Sequence, residues 1–228
     1  MLKVIKKNNY FFFLLNNQKL KTSLNNKIKV KDKIIANILK DKINLLIKNK
    51  EIQKSYFMKI LYFHFDLKRQ NINFFKKKII ENLNTDLLCY RANEDSEVAA
   101  IQKKKYDPLL NFVKKEYKLL FKVVNNIMPV NQDTYNISKL KNILSILNKS
   151  KFTAYYFMNT FSNSNIIALN FLANNIKSDY LWECIVLEET YSLKKWGKDK
   201  EAYRRLQDKK KDFEEIVYFY LLFDKQGN

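Results

Sequence analysis

The chain has 228 residues, of which 46% are hydrophobic and 29% are charged, with only two Gly and two Pro. This composition supports a packed core, and the scarcity of turn-forming residues excludes a β-sandwich or β-barrel, which needs many tight turns. The formal net charge of +20 is typical of nucleic-acid-binding proteins, yet Arg, the residue best suited to phosphate recognition, occurs only four times.

The basic residues are concentrated at the beginning of the chain. Residues 1–80 hold 20 Lys and Arg against four acidic residues. Lys, Asn, Ile, Tyr and Phe all have AT-rich codons, so genomic drift can raise the Lys content without selection for a polyanionic partner. A polyanion-binding function would therefore belong to this first third.

Residues 3–30 have the pattern of short β-strands. Tyr10–Leu15 is a continuous apolar run, and Lys27–Val30 alternates between polar and apolar residues. Asn16 and Asn17 follow the apolar run and predict a turn, because Asn tolerates the positive φ that Gly would otherwise supply.

The rest of the chain has mostly helical spacing. Residues 33–50 predict a helix, whereas the aromatic-rich residues 56–66 fit no single pattern. Asp107 and Pro108 have the features of a helix start, an Asp N-cap followed by Pro at the first helical position. A strand or loop is expected around Pro129. Further helices are predicted near residues 70–83, 136–148, 151–161, 164–175 and 178–195, and from Lys198 onward.

These elements predict an α+β fold in two parts. The first is an N-terminal α+β domain of residues 1–68, with antiparallel β-structure and one helix. The second is a larger all-α C-terminal domain of residues 69–228. No internal repeat is present.

The inventory of reactive residues disfavours catalysis. Two glycines cannot build a phosphate-cradling loop or a dinucleotide-binding fingerprint. His64 is the single histidine and lies among aromatic residues, so we expect it in the core or at an interface. Cys89 and Cys184 lack metal-ligand spacing and are expected to be buried, reduced thiols. We therefore predict a non-enzyme that needs no cofactor and no metal.

The segment Trp182–Gly197 is unusual for its acidic residues. Projected onto one continuous helix, Glu189 falls in the middle of an apolar stripe, and Glu188 falls on its shoulder. A carboxylate in the middle of an apolar stripe lowers the stability of the folded protein unless it forms an ion pair or hydrogen bonds. Two interpretations follow: an internal ion pair with a residue such as Arg91 or Arg204, or a partly buried acid retained for a partner. The stripe comprises Trp182, Ile185, Val186, Leu193 and Trp196.

This segment, with a Trp, a Glu-Glu pair, an aromatic residue and a final Trp-Gly, resembles the assembly chaperones of the F-type ATP synthase that hold the α subunit of the catalytic head. A second block, Asp86–Ala92 followed by Gln102 and Tyr106–Leu109, matches that family's "D-L-L-C-Y-R-A" and "D-P-L" motifs in order and spacing. Weaker similarities are Leu15–Thr22, which resembles the family's first hairpin, and the helix start at Ser164.

The sequence departs from the family mainly in the basic first third. Asn17 and Ser23 replace the Gly and Pro of the hairpin, and Asp41-Lys42 replaces a Glu-Trp pair. Lys59 replaces a Pro, and near the C-terminus Ser192 replaces the Gln before Trp-Gly. The resemblance therefore gives the least support for partner contacts in the first third of this chain.

The resemblance implies a non-catalytic chaperone that binds the free α subunit and shields the surface that later faces the β subunit. It implies partner-binding positions at Glu189, Glu188, Trp196 and Arg91. Trp182 is expected in the core. Tyr90 is expected to be internal with its hydroxyl group satisfied, and an internal pairing with an acid is the alternative for Arg91.

We expect a monomer that acts in a bacterial cytoplasm, because the predicted first strand begins almost at once; the mitochondrial matrix is the alternative. No stretch approaches the roughly 20 apolar residues of a membrane span.

We expect no specific nucleic acid as a partner. The alternative function is a basic RNA-binding or ribosome-associated protein, whose binding would weaken steeply with salt.

Overall fold

The computed structural model describes residues 1–125, 130–197 and 199–224. Over these residues, a small antiparallel sheet is followed by ten α-helices. The strands are β1 (Lys3–Lys7), β2 (Tyr10–Leu15), β3 (Gln18–Lys19) and β4 (Lys29–Val30). The helices are α1 (Lys33–Lys48), α2 (Tyr56–Asp66), α3 (Ile72–Glu81), α4 (Glu97–Tyr117), α5 (Thr134–Ile146), α6 (Lys149–Ser162), α7 (Asn165–Leu172), α8 (Ser178–Ile185), α9 (Leu187–Trp196) and α10 (Lys200–Asp224). The predicted α+β class is confirmed.

Asparagine pairs make the first two turns of the sheet. Asn8 and Asn9 join β1 to β2, and Asn16 and Asn17 join β2 to β3, all four with φ between 48° and 62°. Two successive positive φ values define the tight hairpin turn whose twist matches that of the flanking strands. The predicted turn at Asn16 and Asn17 is confirmed, and Asn replaces Gly there.

The sheet packs one face against α1. β2 is central, with β1 on one side and both β3 and β4 on the other. Phe13 and Val30 are buried on the inner face, and Leu39 and Ile43 of α1 belong to the same hydrophobic core. The helix begins at Asp32, whose side chain accepts a hydrogen bond from the backbone N–H of Ile35.

The segment 56–66, which the pattern left unassigned, is helix α2. It packs against α6 and α10, and so joins the N-terminal elements to the helical part. His64 is buried in this contact, as expected, among the rings of Phe65, Phe219 and Phe223. The hydrophobic core is therefore continuous from the sheet to the last helix.

The predicted helix start at Asp107 and Pro108 is wrong. Helix α4 begins eleven residues earlier, where the Ser96 side chain caps it by accepting the N–H of Ala99. Pro108 lies inside the helix. The Asp107 carboxylate forms a tertiary ion pair with Arg91 instead of capping a helix.

The predicted continuous helix over residues 178–195 is also wrong, because the chain leaves helical geometry at Val186, where φ is −107° and ψ is 14°. Around Val124 the chain is extended and forms a single bridge to Tyr90, whereas Pro129 lies outside the described residues. Among the described residues, none of the helices is both long and apolar enough to cross a membrane.

Candidate functional site around helix α9

The interruption at Val186 changes the orientation of the acidic residues. Glu188 and Glu189 lie in the first turn of a separate short helix, where negative charge is favourable, and both side chains are exposed. The expected position of Glu189 in the middle of an apolar stripe is therefore not observed. Hydropathy periodicity assumes one helix axis, so it could not reveal a break at a buried apolar residue such as Val186.

Glu188 is held by a buried glutamine. The Gln102 side chain is 0% exposed, and its Nε2 donates to Glu188 Oε1 at 2.8 Å. Its Oε1 accepts the backbone N–H of Ala92 at 2.8 Å. Gln102 thus joins α4, α9 and the segment before α4, and it fixes one oxygen of a carboxylate that is otherwise exposed. Sequence reasoning included Gln102 in a motif but gave it no role.

Glu189 forms an ion pair with Lys209 on α10, and its side chain remains 50% exposed. The predicted internal partners Arg91 and Arg204 are not used. An ion pair this exposed contributes at most about 1 kcal/mol to stability. Glu189 is therefore available at the surface rather than locked in the interior.

Trp196 ends α9 with its side chain 79% exposed, and the ammonium group of Lys195 lies 5.3 Å from its ring centroid. Gly197 follows with φ 94° and ψ 164°. The positive φ favours Gly at this position, and ψ is extended rather than left-handed helical. Trp182, by contrast, is buried and packs 5.5 Å from the ring of Phe213, as expected for a core residue.

Arg91 faces the interior, and its side chain is 7% exposed. Its Nη2 donates to Asp107 Oδ1 at 3.0 Å, and its Nε donates to the carbonyl of Leu88 at 3.0 Å. The guanidinium also lies 4.9 Å from the ring centroid of Tyr106. These contacts match the alternative expectation for Arg91, an internal pairing with an acid, while its exposed edge still borders the site.

Tyr90 is anchored by its hydroxyl group, which donates to the carbonyl of Asn84 at 2.5 Å and accepts the N–H of Val130 at 3.3 Å. This agrees with the expected internal role. The segment that carries Tyr90 and Arg91 therefore forms a fixed wall beside α9.

The segment is tied to the helical core by the fully buried Asp86. Its Oδ1 accepts from Ser164 Oγ at 2.6 Å, and its Oδ2 accepts the N–H groups of Asn165 at 2.6 Å and Ile166 at 3.2 Å. Desolvation raises the pKa of Asp86 to about 6, although hydrogen bonds from Ser164, Leu88, Ile166 and Asn165 oppose the shift. Asp86 thus binds the N-terminus of α7 from a distant element.

Three grooves surround α9. The first, of about 770 Å³, lies between α9 and α10 and is bordered by Glu188, Glu189 and Trp196. The second, of about 710 Å³, lies on the other side and is bordered by Arg91, Glu188 and Trp196. A third, of about 760 Å³, separates α9 from α4 and α8. The structure thus brings all four predicted site residues to the grooves on the two sides of one short helix.

The thiols near the site are buried. Desolvation raises the pKa of Cys184 to about 12 and raises that of Cys89 as well, so both are protonated at neutral pH. Desolvation also raises the pKa of Tyr106, and the Glu188 carboxylate contributes to the shift. No three His, Cys, Asp or Glu side chains form a metal-binding cluster within the described ranges.

The chain resembles known proteins in both sequence and fold. Residues 2–114 match the family described as ATP12 chaperone protein. The crystal structure of Atp12 from Paracoccus denitrificans has 18% sequence identity and a TM-score of 0.82, with 97% of this chain and 95% of that chain covered. The Atu1473 protein of Agrobacterium tumefaciens has 20% identity and a TM-score of 0.81, with 96% and 82% covered. With this family match and a fold shared along nearly its whole length, the chain belongs to the ATP12 family of ATP synthase assembly chaperones.

Proposed function

We propose that this protein is a non-catalytic chaperone that binds the free α subunit of the F-type ATP synthase catalytic head and covers the surface that later faces the β subunit. Such a protein keeps an apolar interface from self-associating until the correct neighbour replaces it. Family membership supports the assembly role, and the surface around α9 supports a defined binding site.

The observation that carries this proposal is the combination of an exposed Trp196 with the two carboxylates of Glu188 and Glu189 on one short helix. Exposed Trp is rare on a surface and common in the energetic centre of protein interfaces. Grooves on both sides of the helix can accept side chains from a partner. The partner groups that fit are an apolar side chain beside Trp196 and a Lys or Arg beside the carboxylates.

The four residues contribute differently to this site. Trp196 is the apolar anchor, and Glu188 is the fixed acid, because Gln102 orients it. Glu189 is the adjustable acid, since it can exchange Lys209 for a cation of the partner. Arg91 supports the wall of the second groove from within.

The test is capture of the cognate α subunit by variants of the tagged chain. Glu189→Lys should reduce capture at least tenfold, because it places like charges beside Lys209 and repels a cationic partner group. Trp196→Ala should cost about 2 kcal/mol of binding, or roughly thirtyfold. Glu116→Lys, an equal charge change at an exposed site on α4 away from the grooves around α9, should capture normally.

Thermal unfolding of the same variants separates binding from folding. Glu189→Lys should lose no more than about 2 kcal/mol of stability, because the lost ion pair, the new like charge beside Lys209 and the lysine in the first turn are all exposed to solvent. Normal capture by Glu189→Lys and Trp196→Ala would place the binding surface elsewhere. A large loss of stability in Glu189→Lys would make that residue a structural one.

A further inference from the structure

The face of the N-terminal sheet that points away from α1 contains lysines around an apolar centre. Residues directly opposite each other in an antiparallel pair project to the same side of a sheet. The register pairs Lys3 with Leu14, Ile5 with Phe12 and Lys7 with Tyr10. It also pairs Leu14 with Lys19 and Phe12 with Lys29. We call these eight residues the outer sheet face.

The apolar centre of this face is separate from the core of the protein. Phe12 is only 8% exposed, yet it is absent from the hydrophobic core to which Phe13 belongs. It is covered from outside, with the ammonium of Lys19 at 4.8 Å from its ring centroid. The ammonium of Lys29 lies 4.0 Å from the ring centroid of Tyr10. Lys19 and Lys29 are thus held at defined positions above aromatic rings.

Within the part of the chain that the structure describes, no acidic side chain balances the positive charge of this face. Lys3, Lys7, Lys19 and Lys29 form no ion pair with any residue of the described segments. None of the four strands contains an acidic residue. The first acid after them, Asp32, caps α1. Charge complementarity therefore calls for an anionic partner.

We propose that the outer sheet face binds an acidic, extended segment of a protein partner. Carboxylates four residues apart in an extended segment span about 13 Å, the same distance that separates Lys3 from Lys7 along β1. The apolar residues between such carboxylates would pack on Ile5 and Leu14. This surface is independent of α9 and adds a second contact region to the protein.

The chemistry of this face favours a protein segment over nucleic acid. Single-stranded nucleic acid binds through bases that stack on open aromatic rings. Here the Phe12 ring is buried, and the Tyr10 ring is covered by a lysine. Bidentate phosphate contacts need Arg, and the outer sheet face contains none. Lysine ammonium groups pair well with single carboxylates.

Fluorescence anisotropy with the full chain tests this proposal. The probe is a labelled 13-residue peptide in which Glu alternates with Val and Thr. The variant K3Q/K7Q/K19Q/K29Q should bind the probe at least tenfold more weakly than the wild type, because four screened ion pairs are lost. The control K103Q/K104Q/K114Q/K115Q removes the same charge from exposed positions of α4 and should change binding less than about twofold.

A charge-reversed variant gives an independent readout of the same surface. K3E/K7E/K19E/K29E should acquire binding to a peptide in which Lys replaces Glu, and thermal unfolding checks that it is folded. Equal loss in the Gln variant and in the α4 control would overturn the proposal, because only net charge would then matter. Tighter binding of an oligouridine probe or of phosphatidylserine vesicles than of the acidic peptide, with loss on K3Q/K7Q/K19Q/K29Q, would also overturn it.

Discussion

Gln102 shows how one buried side chain can connect the fold to the binding surface. Both ends of its amide are used, one on the backbone of Ala92 and one on the carboxylate of Glu188. These hydrogen bonds offset the cost of burying the amide, because an unsatisfied buried donor or acceptor costs about 1–3 kcal/mol. An exposed acid of the site and a fully buried amide therefore form one unit.

This arrangement predicts the effect of Gln102→Met. The variant keeps the side-chain length but leaves the Ala92 N–H without its acceptor, so the free energy of unfolding should fall by about 1–3 kcal/mol. Glu188 also loses its orientation, and capture of the α subunit should weaken. Urea unfolding and co-purification measure the two effects.

Gln132→Met is the matched control. Gln132 is buried as well, and its amide bonds both the N–H and the carbonyl of Lys122 rather than a residue of α9. We expect similar destabilisation with normal capture. If the two variants capture equally, Gln102 has a purely structural role.

The burial of His64 predicts that the protein loses part of its stability at acidic pH. Thr153 Oγ donates its hydrogen to the carbonyl of Lys149, so it accepts a hydrogen bond from His64 Nδ1, 3.1 Å away. Desolvation, with a smaller contribution from Lys149, lowers the pKa of His64 to about 3 from 6.5. The unfolded state therefore binds more protons between these values, and stability is lost as the pH falls from about 6.5 toward 3.

The variant His64→Leu removes this contribution of His64 to the pH dependence of stability. The difference in unfolding free energy between the wild type and the variant should change with pH by at most about 1.4 kcal/mol per pH unit below pH 6.5, and level off above it. Urea titrations at several pH values between 4.5 and 8 measure it. Parallel stability curves would show that His64 is not buried in its neutral form.

At the scale of elements, the N-terminus of α7 depends on a residue far away in sequence. Ser164 caps the helix locally by accepting the N–H of Ile167, and Asp86 adds the acceptors for the N–H groups of Asn165 and Ile166. Because desolvation raises its pKa to about 6, the folded state binds a proton more tightly than the unfolded state does. This group therefore reduces stability as the pH rises from about 4 to about 6, opposite in sign to His64.

Asp86→Asn should lower the free energy of unfolding at pH 7 by about 1–3 kcal/mol, because four donors would share one carbonyl oxygen. Asp133→Asn is the control, since Asp133 is an exposed N-cap of α5 and Asn caps equally well. Thermal and urea unfolding compare the two. Equal stability of Asp86→Asn and wild type would mean that Asp86 is dispensable for anchoring α7.

Local sequence signals predicted the presence of strands, turns and helices better than they predicted where a helix begins or is interrupted. The Asn16-Asn17 turn and the α1 helix were predicted correctly because turn chemistry and helical periodicity act over a few residues. The Asp107-Pro108 signal failed because the tertiary pair with Arg91 competes with capping. The change of helix axis at Val186 has no local signal.

The same limits apply to the site. Glu188, Glu189 and Trp196 were predicted from a motif and do lie on one exposed helix. Which side chain holds which acid could not be predicted, because Gln102 and Lys209 approach from other helices. Contacts between residues distant in sequence depend on how the helices pack, and the spacing of residues along the chain does not reveal this packing.

At the scale of the whole molecule, the N-terminal elements and the helical part share contacts through α1 and α2. Lys42 of α1 forms an ion pair of 2.7 Å with Glu215 of α10 and lies 5.1 Å from the ring centroid of Tyr218. Phe57 of α2 packs against the same Tyr218. The division into domains 1–68 and 69–228 stays a prediction, and a separated helical part would lose these contacts.

The two proposed binding surfaces differ in chemistry. Trp196 and the acids around α9 suit an apolar and cationic partner surface, whereas the outer sheet face suits an acidic segment. A chaperone with two such regions can hold one partner at two points, and avidity then exceeds either single affinity. The proposed partner of this chaperone is the free α subunit of the catalytic head.

The most direct test of that claim is co-expression of the tagged wild-type chain with the cognate α and β subunits. Our account predicts that α co-purifies when it is expressed without β, that β alone does not, and that α is lost when β is present in excess. Retention of α in the presence of excess β would contradict shielding of the α–β interface. Capture of β alone, or of neither subunit, would contradict the proposed partner.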